Sequence, residues 1–330
     1  MSSIFAWQVE AKDSPAQWVQ KAPLPLTEDQ VRIRIEASSL NYKDALAVTG
    51  KGRIMRRFPC VAGIDLAGEV IESSSPQWSV GAPVLATGCF LGEQVDGGLA
   101  TEVVMAAENV IARPQGVSSV QAMAWGTAGF TAALAVQRML DNGQRPDMGP
   151  IAVTGATGGV GSIAIALLAK LGFAPVAVTR RGADHADYLK QLGAVDIHAA
   201  DVDEQAPPLQ KTQWGGVIDN VGGALLAQLI AQTNLWGNVA SIGLAGSAKL
   251  PATVLPFILR GVNLLGVHSV EWPMAPRRQI WEKIFGDWQL DHSLWLRHQV
   301  PLAEIMPVCE AMLAGTHDGR AVVLCTAHAT

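Results

Sequence analysis

Cysteine is scarce in this chain of 330 residues: Cys60, Cys89, Cys309 and Cys325 are scattered, with no CxxC pair among them. That excludes a zinc-knuckle pattern and a disulfide framework, and it fits a reducing compartment. Charge is also thin, at 16% against 49% hydrophobic residues, which suits large buried cores. There is no basic excess. The formal net charge is -5, so no overall positive field draws the chain to nucleic acid or an anionic membrane. The longest apolar run is interrupted at Lys170, which leaves no membrane span. The opening MSSIFAWQVEAKDS lacks the basic region and apolar core of a signal peptide, so a cytoplasmic protein is expected. Internal repeats and low-complexity segments are missing. The seven histidines, His328 among them, show neither metal spacing nor a nucleophile partner.

What remains is a chain long enough for two domains. The first third is rich in short strands: Ile4–Val9, the alternating VRIRIEA of Val31–Ala37, and strand, glycine turn and strand over Cys60–Ser73. Pro23–Pro25 forms a turn, and Ser38–Gly50 is a polar loop entering a short helix. Glycine and proline punctuate further strands up to Ala112, as in a partly open barrel. The pattern changes at Ser118, where Ser118 and Gln121 form a capping-box signal ahead of a helix over Ala122–Leu140. From Ile151, strands at Pro175–Thr179, Gly216–Asp219, Asn238–Ile242 and Asn263–His268 alternate with helices at Ala183–Leu192, Ala224–Gln232 and Pro276–Phe285. This alternation predicts a doubly wound parallel sheet. The expected division is a barrel domain over 1–122, completed by 299–330 through a strand at Ala321–Cys325, and an α/β domain over 123–298. The tryptophans of the second half, Trp214, Trp236, Trp272, Trp281, Trp288 and Trp295, are expected in core and interface packing.

The second domain opens on IAVTGATGGVG, Ile151–Gly161, followed by the helix former IAIALLAKL. Strand, glycine-rich turn and helix is the context of a dinucleotide fingerprint, here spaced G-x-x-G-x-x-G. Thr157, Gly158, Gly159 and Val160 would face the pyrophosphate with the free amides of the helix start. An NAD site would carry an acid near the end of the second strand. The chain reads Thr179-Arg180-Arg181 instead, and two guanidinium groups suit a 2′-phosphate, so NADPH is expected. Further along the carboxyl ends of the strands, Leu244 would cover the nicotinamide.

Several blocks in order, SSLNYKDALAVTGKG at 38–52, FPCVAGIDLAGEV at 58–70, GTAGFTA at 126–132, TGATGGVGS at 154–162 and LPFILRGVNLLGVHSV at 255–270, resemble the zinc-free medium-chain dehydrogenase/reductases. Within that branch the chain is most similar to the quinone-oxidoreductase-like proteins and, among them, the bacterial acrylyl-CoA reductases. The resemblance implies a GroES-like β-barrel with a Rossmann domain, NADPH, and a homodimer formed by edge-to-edge sheets through Asn263–Val270. It also implies cofactor contacts from Ile258, Ser269 and Arg320. Where zinc-dependent cousins carry Gly-His-Glu, this chain has Gly63-Ile64-Asp65, so no metal is expected.

The implied chemistry is hydride transfer to the β-carbon of a short enoyl-CoA, with a proton added at the α-carbon. Tyr42, one of only two tyrosines, is the candidate beside nicotinamide and substrate, and Asn41 is a candidate to orient cofactor or substrate, set against a routine turn asparagine. A tyrosine packed with a satisfied hydroxyl is the plain alternative. Asp65 has the plain alternative of bonding turn backbone. Arg56 and Arg57, in the basic cluster Lys51–Arg57, are candidates for the CoA phosphates, set against a solvated basic face. Two other functions stay open: an NADPH:quinone or enone reductase, and a nucleotide-binding protein without turnover.

Overall fold

The protein is described here by a computed structural model covering residues 3–203 and 205–326, and every count concerns those residues. His328 lies outside them. The chain divides into two compact units: Met1–Thr127 with Val270–Phe285 and Leu296–Thr330, and Ala128–Ser269 with Gly286–Trp295.

The first unit is organised on the strand Gln30–Leu40. Its alternation places Val31, Ile33, Ile35 and Ala37 in the core at 1% exposure or less. It pairs antiparallel with Asp65–Ser73, Glu102–Ala106 and Arg320–Leu324. Pro83–Thr87, Ile111–Ala112 and Leu296–Pro301 extend the seven-stranded sheet. Ile33, Ile35, Leu66, Leu99 and Val323 share one apolar core. Burying each contributes about 1.5–3 kcal/mol. Two register pairs matter for the site. Ala321 lies opposite Leu40, and Ala37 lies opposite Ala67. Residues remote in sequence, Arg320 and Asp65, therefore reach the end of the central strand.

A second sheet pairs Ile4–Val9 with Gln17–Lys21 and Cys60–Val61. Sequence patterning did not single out Gln17–Lys21. QWVQK has no buried face, so it carries no alternation. The Ser118 signal is realised: the Ser118 N–H donates to Gln121 Oε1 at 2.7 Å, and the Gln121 N–H donates to Ser118 Oγ at 3.1 Å. The helix it starts, Ser119–Asp141, exceeds the expected span at both ends and breaks at Gly126.

The second unit has the expected parallel sheet. Its six strands run in the order Asp196–His198, Pro175–Val178, Ile151–Thr154, Trp214–Asp219, Thr233–Ser241, Asn263–Gly266. This is the doubly wound order, with the chain reversing direction across the sheet beside Ile151–Thr154. Ile151–Thr154 and Pro175–Val178 are buried along their whole length, as strands covered on both faces should be. The edge strand Asp196–His198 and the helix Leu255–Arg260 had no sequence expectation, nor, in the first unit, had the helix Met306–Ala314 and the strand Leu296–Pro301. The first and second have only six residues or fewer, too few for a period to show. The helix expected at Ala183–Leu192 contracts to Ala186–Gln191. Trp214, Trp281, Trp288 and Trp295 are buried, whereas Trp236 is 68% exposed and lies outside the core.

Candidate functional site

In the first unit, chemistry gathers where the central strand ends. Asn41 is the N-cap of the helix Tyr42–Val48, with extended backbone at φ -120°. The capping box is closed by Asp44, which accepts from the Asn41 N–H and from Asn41 Nδ2, both at 2.9 Å. Asp44 also accepts from the Ile64 N–H at 2.9 Å. Beside it lies Asp65, fully buried. Its carboxylate accepts from Ser39 Oγ, from Asn41 Nδ2 at 2.8 Å, from the Thr127 N–H and, at 2.5 Å, from Thr127 Oγ1.

Arg320 balances these acids. It is 2% exposed and donates to Ser39 Oγ at 2.6 Å, to Asn41 Oδ1 and the Leu40 carbonyl at 3.0 Å, and to the Ala124 and Met123 carbonyls. Its Nη2 stands 3.9 Å from Asp65. Burial, followed by the charge of Asp65, pushes the Asp44 carboxyl up to about 7. Burial lowers the Arg320 guanidinium, and the two aspartates oppose that shift.

Gly126 explains the helix break. With φ at +50°, it turns the Thr127 N–H onto Asp65. A Cβ there would lie 2.6–2.8 Å from Ser39 Oγ, Asp65 Oδ2 and Arg320 Nη2, so only glycine fits. Out of this buried cluster projects Tyr42, 48% exposed.

In the second unit, the three spaced glycines have separate tasks. Gly155 takes φ +60° to make the turn. Gly158 caps the helix Gly159–Lys170 in extended conformation. Gly161 permits close packing, since a Cβ would sit 2.3 Å from the Gly155 carbonyl oxygen. The turn is braced from below: Thr154 Oγ1 donates to Asp219 at 2.8 Å, and Asn220 Nδ2 donates to the Thr154 carbonyl at 2.7 Å. Burial pushes the Asp219 carboxyl up.

The two arginines after Thr179 diverge. Arg181 Nη2 donates to Thr157 Oγ1 at 2.6 Å, tying the second strand's end to the glycine turn. Arg180 is exposed on the rim of a depression of about 480 Å³, shared with Thr179, Gly182, Lys190 and His198. A dinucleotide fits these groups: the turn leaves room for backbone approach to a pyrophosphate, and a free guanidinium stands beside the strand end.

Thr157, Gly158, Gly159, Val160, Thr179 and Arg181 are thus gathered at one turn, with Arg180 at its margin. Leu244 and Ser269 follow the carboxyl ends of Thr233–Ser241 and Asn263–Gly266, on the same edge of the sheet. Leu244 is 68% exposed. Ile258, 70% exposed, lies on the helix Leu255–Arg260, which leads instead to the start of the last strand. Arg320, expected on a cofactor, directs its donors into the Asp65 cluster of its own unit. Arg56 lines a groove of about 220 Å³ with Val9, Lys12, Ala47, Arg53 and Met55, whereas Arg57 is bound to Asp96 at 2.5 Å. Sequence analysis missed Ser39, Asp44 and Thr127 and set Asp65 aside. The one local signal was Asn41 followed three residues later by Asp44.

The alcohol dehydrogenase GroES-like domain model matches residues 27–115, and the zinc-binding dehydrogenase model matches 159–284. Acrylyl-CoA reductase AcuI of Ruegeria pomeroyi is 44% identical over 302 residues, 91% of each chain. The yhdH oxidoreductase of Salmonella enterica, solved in complex with NADP, is 42% identical with a TM-score of 0.91, covering 98% of this chain and 100% of that one. Bacillus subtilis yhfP, solved with NAD bound, is 40% identical with a TM-score of 0.93 over the same shares. Fold and site together define a medium-chain dehydrogenase/reductase. More narrowly, the chain belongs to the quinone-oxidoreductase-like branch of that family, which includes the acrylyl-CoA reductases.

Zinc, implied by one family model, does not fit these residues. Isoleucine occupies position 64, the Asp65 oxygens are held by four protein groups, and Cys309 and Cys325 are sealed in the barrel core. Among the described residues no three His, Cys, Asp or Glu side chains come together as ligands. Also among them, no helix is long and apolar enough to cross a membrane.

Proposed function

We propose that the protein reduces the carbon–carbon double bond of acrylyl-CoA or another short 2-enoyl-CoA with NADPH, giving propionyl-CoA or its homologue. The 44% identity to an acrylyl-CoA reductase over 91% of both chains carries this proposal. Bound NADPH supplies the hydride that reaches the β-carbon, and the α-carbon takes a proton. The second unit holds the nucleotide: Thr157, Gly158, Gly159 and Val160 at the pyrophosphate, Thr179 and Arg180 at the 2′-phosphate, Arg181 bracing the turn. Leu244 and Ser269 complete the cofactor set. Tyr42 presents its hydroxyl to cofactor and substrate, and Asn41 holds the backbone from which it projects. Arg320 contributes to cofactor binding indirectly, through Asn41.

Arg56 and its groove take the charged end of CoA. The helix Tyr42–Val48 spans about 10 Å at 1.5 Å per residue. The groove at its far end therefore lies within reach of a pantetheine arm whose thioester meets Tyr42. The barrel half follows the first compact unit, which takes in Val270–Phe285 beyond the expected 1–122 with 299–330, and the nucleotide half follows the second, in place of 123–298. The protein works in the cytoplasm as a homodimer joined along the edge strand Asn263–Gly266. Leu264, Ile258 and Trp236, all exposed, support that face; size-exclusion chromatography of a Leu264→Asp variant tests it, a retained dimer refuting it.

Steady-state kinetics decide the reaction. NADPH consumption with acrylyl-CoA, crotonyl-CoA and a panel of quinones should give the highest kcat/KM for acrylyl-CoA. A quinone preference would support the second reading, an NADPH:quinone oxidoreductase, which the likeness to yhfP favours. No turnover on any substrate would leave a nucleotide-binding protein.

A further inference from the structure

We propose that Asp65 is a positioning residue, holding the Asn41 carboxamide and thereby setting the direction in which Tyr42 leaves the barrel. The Asn41 side chain is held from three sides. One Nδ2 hydrogen goes to Asp65 and the other to Asp44, while Oδ1 accepts from Arg320. Its backbone N–H is held by Asp44 as well. Both N–H donors of that carboxamide are taken up within the protein, so its contribution is to fix the next residue, Tyr42, at the first turn of a helix of seven residues.

Asp65 is the point where four other segments converge. Ser39 ends the central strand, Asn41 opens the helix, Thr127 follows the Gly126 break and Arg320 begins a strand. Stability alone does not explain such a cluster, because apolar side chains of equal volume do as well as a buried ion pair. What charge adds is direction: each donor has one oxygen to meet and one angle at which to meet it. The glycine at 126, which no side chain can replace without striking Asp65, Ser39 and Arg320, preserves the same convergence.

The role of Tyr42 at the substrate rests on the proposed reaction; the geometric claim does not, and the test separates them. Tyr42 and Tyr188 are the only tyrosines, and Tyr188 is buried in the other unit. In a Tyr188→Phe protein labelled with 3-fluorotyrosine, a single fluorine resonance reports Tyr42. Asp65→Asn keeps the shape but turns an NH2 towards the N–H of Thr127 or Asn41. It should split or shift that resonance. Thr127→Val, which removes one hydroxyl donor, should move it in the same direction by less. With the enoyl-CoA substrate, kcat should fall on the order of tenfold to a hundredfold, by more than KM for NADPH rises. An unmoved single resonance in folded Asp65→Asn overturns the proposal, and if that variant does not fold, an unmoved resonance in Thr127→Val does. A moved resonance in Asp65→Asn, when the unsubstituted protein turns over no enoyl-CoA, supports the positioning role and refutes the reaction.

Discussion

Asp44 makes the stability of the protein fall as pH rises through the weakly acidic range. Its carboxyl is buried against Asp65, with Arg320 and the Cys309 thiol as the other ionisable groups facing it, and its proton affinity is raised from 3.8 to about 7. The folded chain therefore keeps a proton that the unfolded chain releases. Stability from this group is complete below about pH 4 and lost progressively as pH rises to about 7. The gap of about three pH units, at about 1.4 kcal/mol each, amounts to on the order of 4 kcal/mol. Asp44→Asn removes the titration while keeping one oxygen to accept from the capping N–H groups. Urea unfolding of both proteins at half-unit steps from pH 4.5 to 7.5 isolates the effect, because the other carboxylates titrate in both and cancel. The stability of the native chain minus that of the variant should decline by about 1.4 kcal/mol per pH unit up to neutrality and then level off. Parallel curves across the whole range would mean that Asp44 is ionised throughout, and would refute the burial argument.

Other outcomes follow from the same geometry. Gly161→Ala places a Cβ against the backbone of Gly155 and Ala156, which cannot yield, so fluorescence titration should show NADPH affinity reduced at least about tenfold. Arg180→Ala should raise KM for NADPH and leave KM for NADH unchanged. Arg181→Ala should weaken both, because its guanidinium secures Thr157 at the turn; identical cofactor profiles for the two variants would show that their roles are not divided. Arg56→Ala should raise KM for the acyl-CoA several-fold, and Arg57→Ala, whose partner is Asp96, should leave it unchanged. Arg320→Met strips the buried acids of their cation and should lower the urea midpoint by the equivalent of about 3–5 kcal/mol.

Much of this protein could be read along the chain because the controlling interactions are short-range. The turn at Gly155–Gly161 involves seven consecutive residues, and its glycines sit where the backbone must turn, approach or pack, so their spacing is itself the signal. Alternation in Val31–Ala37 and the unbroken apolar strands after Ile151 report burial on one face or two, which separates barrel from parallel sheet. The exchange of an acid for Thr179-Arg180-Arg181 is equally local. The Asp65 cluster has no such signature. Ser39, Asn41, Thr127 and Arg320 meet one carboxylate only because strand pairing sets Ala321 against Leu40 and Ala37 near Ala67. The diverging paths of Arg180 and Arg181 likewise depend on where the glycine turn lies in space. Sequence by itself determined most of the elements and the kind of ligand; tertiary structure decided which charges are buried together, because a buried charge takes its meaning from neighbours that the chain supplies from hundreds of residues away.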